Sequence, residues 1–124
     1  MKLFDLFISS FWPMFKAGLT ISVPLMLVSF ALGLVLAFAL ALMRMSNFKP
    51  FKGIAWFVVW VIRGTPLLTQ IYVIFFGLPA LGVVLAPIPS AILALTISQG
   101  AYNSEVIRAA LGSIPKGQFE ACRA

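Results

Sequence analysis

Apolar positions run through this chain in blocks too long for an amphipathic surface helix or strand. The best-bounded block, Ala17 to Met43, holds 27 residues with no acid or base and is closed by Lys16 and Arg44. As a helix it measures roughly 40 Å against a hydrocarbon layer of roughly 30 Å, which predicts a span that tilts or begins in the interface. Pro24 marks a kink near its start. A second block opens at Gly53, is interrupted by Arg63, and then runs 41 uncharged residues before Glu105. That length exceeds one span. Gly77, Pro79, Gly82, Pro87 and Pro89 gather the breakers in GLPALGVVLAPIP, which reads as a turn between two helices. The pattern therefore predicts an all-α integral membrane fold with three spans, about 17–43, 53–76 and 88–111. Residues 1–16 precede them, with Phe4, Phe7, Phe11, Trp12 and Phe15 around Asp5 and Lys16, as an interfacial helix.

Composition agrees with this class: 62% of residues are hydrophobic, 10% are charged, and mean hydropathy is +1.09. The net charge of +6 raises the question of nucleic acid. The bases lie at the ends of apolar runs, however, and no basic face with interleaved aromatics occurs, so the expected partner is the lipid bilayer and not nucleic acid. A signal-peptide reading of the first block fails on its length and on the equal hydrophobicity of the remaining chain. One cysteine, Cys122, allows no intrachain disulfide, and without histidine there is no metal-ligand spacing and no conventional catalytic set. The expectation is a chain with no metal, no cofactor of its own and no enzymatic chemistry.

Arg44, Lys49 and Lys52 flank the first connection without an acid, and Arg108, Lys116 and Arg123 gather after the third span. The positive-inside rule places residues 44–52 and 112–124 in the cytoplasm and the N-terminus outside. Lys2 and Lys16 argue weakly the other way, with Asp5 offsetting one of them. A cytoplasmic tail also keeps Cys122 reduced.

Polar residues inside the spans are the candidate functional groups. Thr96, Gln99 and Asn103 fall within about 60° of one another on a helix and form one stripe. Glu105 and Arg108 lie roughly opposite, three residues apart, and are expected to form an ion pair. Two readings of the stripe stay open: interhelical hydrogen bonding, or the wall of a translocation path. Gly18, Ala31, Gly33, Ala37, Ala39 and Ala41 are read as positions of close helix packing. Arg63 sits about 15 Å into the second span and is succeeded at once by Gly64, Thr65 and Pro66. Pro66 cannot donate a backbone hydrogen bond, so the carbonyl near Ile62 is freed and a hinge-like bend is expected there. Thr65 and Gln70 are the polar neighbours. Two roles are open for Arg63: binding a substrate carboxylate, or anchoring to carbonyls or an acid such as Glu105.

Three blocks resemble the membrane subunits of ATP-binding-cassette importers, specifically the polar amino-acid permease family. They are Arg63-Gly64-Thr65-Pro66-Leu67 with Gln70; Ala101-Tyr102 with Glu105 and Arg108; and Ile114-Pro115-x-Gly117-Gln118-x-Glu120-Ala121. The resemblance runs from about Phe15 onward. It implies the five-helix fold of type I importer permeases in a bacterial plasma membrane; the polar groups within the spans, Arg63, Thr65, Gln70, Thr96, Gln99 and Asn103, are then the pathway candidates on the residues' own reading, beside the packing and anchoring roles left open above. It also implies that Pro115, Gly117, Gln118, Glu120, Ala121 and Arg123 belong to a cytoplasmic loop that docks on a separate ATPase, which alone binds ATP. The further partners implied are a second permease subunit, identical or related, and an extracytoplasmic amino-acid-binding protein. Where the family has a second alanine this chain has Cys122, and the family pattern continues past residue 124 through the rest of the coupling loop and two more spans. The sequence thus reads as the first three-fifths of a permease, whether fragment or truncated product, and a non-functional fragment is one alternative. A small multidrug exporter is another, but it would carry an acid in its first span, and Ala17 to Met43 has none. A holin-like pore-former leaves the Gly-Thr-Pro block and the Pro-x-Gly-Gln tail unexplained.

Overall fold

The computed structural model describes residues 2–124; Met1, the first residue of the expected interfacial segment, lies outside the described residues. Five helices succeed one another among the described residues: α1 (Lys2–Met45), α2 (Lys49–Gly64), α3 (Leu67–Ala80), α4 (Pro87–Gly112) and α5 (Lys116–Arg123). The same residues contain no strand.

The chain stays helical across residue 16, where the expected interfacial segment meets the first span: α1 runs for 44 residues, roughly 66 Å. Its first part, Lys2–Ala17, buries no residue. The helix accommodates Pro24 by widening: Gly18–Ser22 forms a π turn that ends two residues before the proline and contains Thr20, whose carbonyl the ring would otherwise crowd. The same device recurs in α3, where the π turn Val73–Gly77 ends two residues before Pro79. Pro13, farther up α1, is carried without one.

The region 53–76, expected to bend at Pro66, falls in two helices, α2 and α3, whose axes turn by 106°. Thr65 (φ −111°, ψ 142°) and Pro66 (φ −62°, ψ 144°) are both extended at the corner. The cause is local: a residue before proline is pushed out of the helical region, and proline has no N–H to continue the ladder. Among the described residues α1 alone is long and apolar enough to cross a membrane, and α2 and α3 reach that standard only together. The segment between α3 and α4 turns through Gly82, whose φ of 85° suits glycine.

α1 packs mainly along α4, and α2 crosses both. The α1 side is a row of small residues at every fourth position, Ser29, Gly33, Ala37 and Ala41, all buried. On α4 the buried residues are likewise small, Ser90, Ala94, Ser98, Gly100, Ala101 and Ser104, and Gly33 faces Thr96, Gln99 and Gly100 there. A side chain on Gly33 would bring its Cβ to 2.8 Å from the Gln99 Cβ, so the two backbones approach as closely as glycine permits. Of the expected packing positions, Ala31 and Ala39 turn outward and Gly18 is half-buried, because the seam keeps a four-residue period set by Ser29. The core proper is small: Leu40, Ala55 and Val59 with Leu36, Met43 and Val58 beside them. Large apolar side chains such as Phe30, Val35, Phe38, Trp56 and Trp60 face outward, an arrangement suited to lipid.

Candidate functional site

The α2–α3 corner frees backbone carbonyls, and one buried side chain collects them. The Gln70 carboxamide nitrogen donates toward Ile62 O at 2.7 Å, Thr65 O at 3.0 Å and Thr65 Oγ1 at 3.1 Å. Ile62 O is the acceptor that Pro66 leaves without its usual donor four residues on. The Thr65 hydroxyl adds its own contacts to Val61 O (3.0 Å) and Ile62 O (3.2 Å). Gln70 is only 9% exposed, and its Oε1 has no partner among the described residues. The orientation is fixed by chemistry, since only the nitrogen can serve a cluster of carbonyls. Gln70 therefore acts first on the backbone, as the clasp of the bend.

Glu105 is the centre of a charged cluster. Arg44 donates to its Oε2 and Arg108 to its Oε1, the latter adding Nε to Oε2 at 3.4 Å. Arg63 Nη1 lies 3.9 Å from Glu105 Oε2. Arg44 and Glu105 are well enclosed, at 14% and 25% exposure, whereas Arg63 is 45% exposed. The Arg63 guanidinium also stands 5.7 Å from the Tyr102 ring centroid, and the Tyr102 hydroxyl reaches Arg63 O at 3.5 Å. One carboxylate thus ties the C-terminal end of α1, the C-terminal end of α2 and the last turns of α4. Three arginines against one acid leave local positive charge beside an open cleft of about 330 Å³ lined by Arg44, Trp60, Arg63, Tyr102 and Glu105.

The sequence places Arg63, Glu105 and Arg108 among the candidates, and the structure brings them together. Arg44 stands out in the sequence only as a topology signal. The clue to its role lies in that expected topology, which sets Arg44 and Glu105 at the same end of neighbouring helices. On the stripe, Asn103 Nδ2 donates to Gln99 Oε1 at 3.3 Å, one turn away. Thr96 Oγ1 is buried without a partner among the described residues. The stripe and the Arg63 cleft are separate features of α4, whereas Thr65 and Gln70 line an apolar recess with Ala94 and Ile97.

Beyond α4 the chain turns at Ser113 and Pro115 and restarts as α5, which holds Gly117, Gln118, Glu120, Ala121 and Arg123. Every residue of α5 is exposed, and it makes no extended packing contact with another helix among the described residues. No metal-binding group of His, Cys, Asp or Glu occurs among the described residues.

No family model matches the chain. Similar proteins are nevertheless consistent in kind. The chain is 47% identical over 117 residues to the L-cystine transport system permease protein TcyB of Bacillus subtilis, covering 94% of this chain and 50% of that protein. It is 43% identical over 110 residues to the arginine transport system permease protein ArtQ of the same organism, covering 88% and 50%. It is also 43% identical over 117 residues to the octopine transport system permease protein OccM of Rhizobium meliloti, covering 87% and 48%. Among solved structures, a crystal structure of an amino acid ABC transporter with histidines matches with a TM-score of 0.84 and 36% identity, over 95% of this chain and 55% of that one. The chain spans about half the length of the relatives it matches. Over that half, it belongs to the amino-acid ABC transporter permease family.

Proposed function

We propose that the chain is the membrane-embedded part of a permease subunit that imports polar or charged amino acids, driven by a separate ATPase. The named relatives support the transport class, and their cystine, arginine and octopine substrates support the substrate class. In this reading α1, the bent pair α2–α3, and α4 are three spans in a bacterial plasma membrane. The N-terminus is outside, and residues 44–52 and 112–124 are cytoplasmic. The convergence of Arg44, Lys49, Lys52 and Arg108 at one end of the bundle supports that orientation. A second permease subunit completes the path, and an extracytoplasmic binding protein delivers the substrate.

The observation that carries the coupling role is α5: a formed eight-residue helix, exposed throughout, directly after the last span. Pro115 caps its start, Gly117 and Ala121 allow close approach, and Glu120, Gln118 and Arg123 offer polar contacts to a partner. An ATPase that closes on binding ATP moves this helix, and α4 transmits the motion to Glu105 and, through Arg63 and Arg44, to the ends of α2 and α1. In the pathway, Arg63 at the open cleft attracts a substrate carboxylate while its distance of 3.9 Å to Glu105 leaves its charge incompletely satisfied. Gln99 and Asn103, with Thr96, line the path farther along α4.

The test uses Glu120→Lys in the assembled transporter. Membrane insertion is expected to stay intact while co-purification of the ATPase falls about tenfold, the loss of one buried charge contact. Unchanged co-purification overturns the assignment of α5.

A further inference from the structure

Where α1 and α4 end and α2 begins, Arg44, Lys49, Lys52 and Arg108 line one groove of about 480 Å³ together with Trp56. Arg44 and Arg108 have their reasons: each donates to Glu105, and each lies toward the C-terminal end of its helix, where the dipole favours a cation. Lys49 and Lys52 have neither. Among the described residues they form no ion pair. They stand in the first turn of α2, which contains no acid. Pro50 has no N–H and Lys52 N donates to Phe48 O, which leaves the N–H groups of Lys49 and Phe51 without a backbone partner among the described residues. The turn also carries the positive end of the helix dipole, so a lysine there is opposed by its own helix. Glu105 offsets one of the four charges, so the groove keeps an excess of positive charge, concentrated at the two unpaired lysines, that a further anion would neutralise.

The groove's flank identifies the anion. Phe48, Phe51, Trp56 and Trp60 are all half exposed or more, and Trp56 and Trp60 stack with ring centroids 6.1 Å apart. Exposed aromatics beside lysines, at the end of apolar helices, mark the headgroup level of a bilayer. We propose that this groove seats the phosphate of an anionic phospholipid, held by Lys49 and Lys52, with Trp56 against the glycerol and upper acyl chain. A phosphate there satisfies the α2 N-terminus and removes the repulsion between the lysines and the two arginines. The inference rests on the membrane reading and is independent of the substrate and of α5.

The test is Trp56 fluorescence in vesicles, with Trp12→Phe and Trp60→Phe introduced so that Trp56 alone reports. Brominated phosphatidylglycerol, at a mole fraction equal to that of brominated phosphatidylcholine in parallel vesicles, is expected to quench with an apparent association on the order of tenfold stronger. Lys49→Gln with Lys52→Gln is expected to bring the ratio close to one, and Lys116→Gln, a base on α5 that does not line the groove, to leave it unchanged. Equal quenching by both lipids overturns the proposal, as does an equal loss in Lys116→Gln, which shows diffuse attraction only. Millimolar inorganic phosphate that abolishes the preference assigns the groove to a soluble anion and overturns the lipid source. Absence of quenching by either lipid overturns the membrane reading itself, a result distinct from all of these.

Discussion

Replacing Gln70 by methionine removes the clasp at the α2–α3 corner while keeping the side chain's length and apolar body. The carboxamide nitrogen has two hydrogens facing acceptors at 2.7, 3.0 and 3.1 Å. Two hydrogen bonds at about 1 kcal/mol each give about 2 kcal/mol. The average of about 0.6 kcal/mol for hydrogen bonds within membrane proteins sets a lower value near 1. Ile62 O is not orphaned in the variant, because the Thr65 hydroxyl at 3.2 Å and the Thr65 N–H at 3.4 Å still donate to it, so a loss well beyond about 2 kcal/mol is not expected. The effect is local to the bend and is read by amide hydrogen exchange in detergent micelles. At about 1.4 kcal/mol per factor of ten, exchange at the residue-70 amide, which donates to Pro66 O at 3.2 Å, is expected to accelerate about five- to thirtyfold. Amides of α1 and α4 at the Gly33–Gly100 seam are expected to stay as they were. Unchanged exchange at residues 67–70, or an acceleration spread evenly over α1 and α4, refutes the claim that Gln70 holds the corner.

The packing and the charges carry other expectations. Glu105→Gln strands Arg44 and is expected to cost about 3 kcal/mol in detergent unfolding, the low end of the range for a buried pair broken from one side, because solvent reaches part of this one. A double-mutant cycle of Glu105→Gln with Arg44→Met is expected to show coupling above about 1 kcal/mol, and additivity contradicts the ion pair. Gly33→Ala is expected to destabilise by about 1–3 kcal/mol, because the new Cβ meets the Gln99 Cβ at 2.8 Å on a fixed backbone. Gly100→Ala is expected to destabilise in the same range, since its new Cβ meets Leu36 Cδ2 at 2.5 Å, Cγ at 2.7 Å and Cβ at 3.0 Å, the last of which no side-chain rotation removes; an unchanged unfolding midpoint in either variant contradicts the seam as described.

The break at Pro66 is legible in the sequence because it is a local event: a proline without an N–H, preceded by a residue forced out of the helical region. The size of the turn is not, since 106° depends on how Gln70 gathers the loose carbonyls and how α3 lies against α4. Lys16 looks like an element boundary because charge usually marks the membrane edge, yet charge alone does not stop a helix, and α1 runs past it. The packing seam is half visible. Glycine and alanine are recognisable as small, but the phase comes from Ser29, a polar residue that packs by its size. Glu105 and Arg108 are betrayed by their spacing of three. Arg44 is separated from Glu105 by 61 positions, and only the meeting of α1 with α4 brings it there. Gln70 is visible as a polar group at depth, while its use on the backbone emerges only with the geometry.

The central claim is that α5 lies on the cytoplasmic face, where an ATPase reaches it. Cys122, the chain's single cysteine, is exposed on α5 and reports this without any substitution. A membrane-impermeant maleimide applied to sealed vesicles of defined orientation is the direct measurement. Labelling of Cys122 in inside-out vesicles, with none in right-side-out vesicles until detergent is added, is the expected result. Labelling from the outside of right-side-out vesicles contradicts the orientation and, with it, the coupling role assigned to α5.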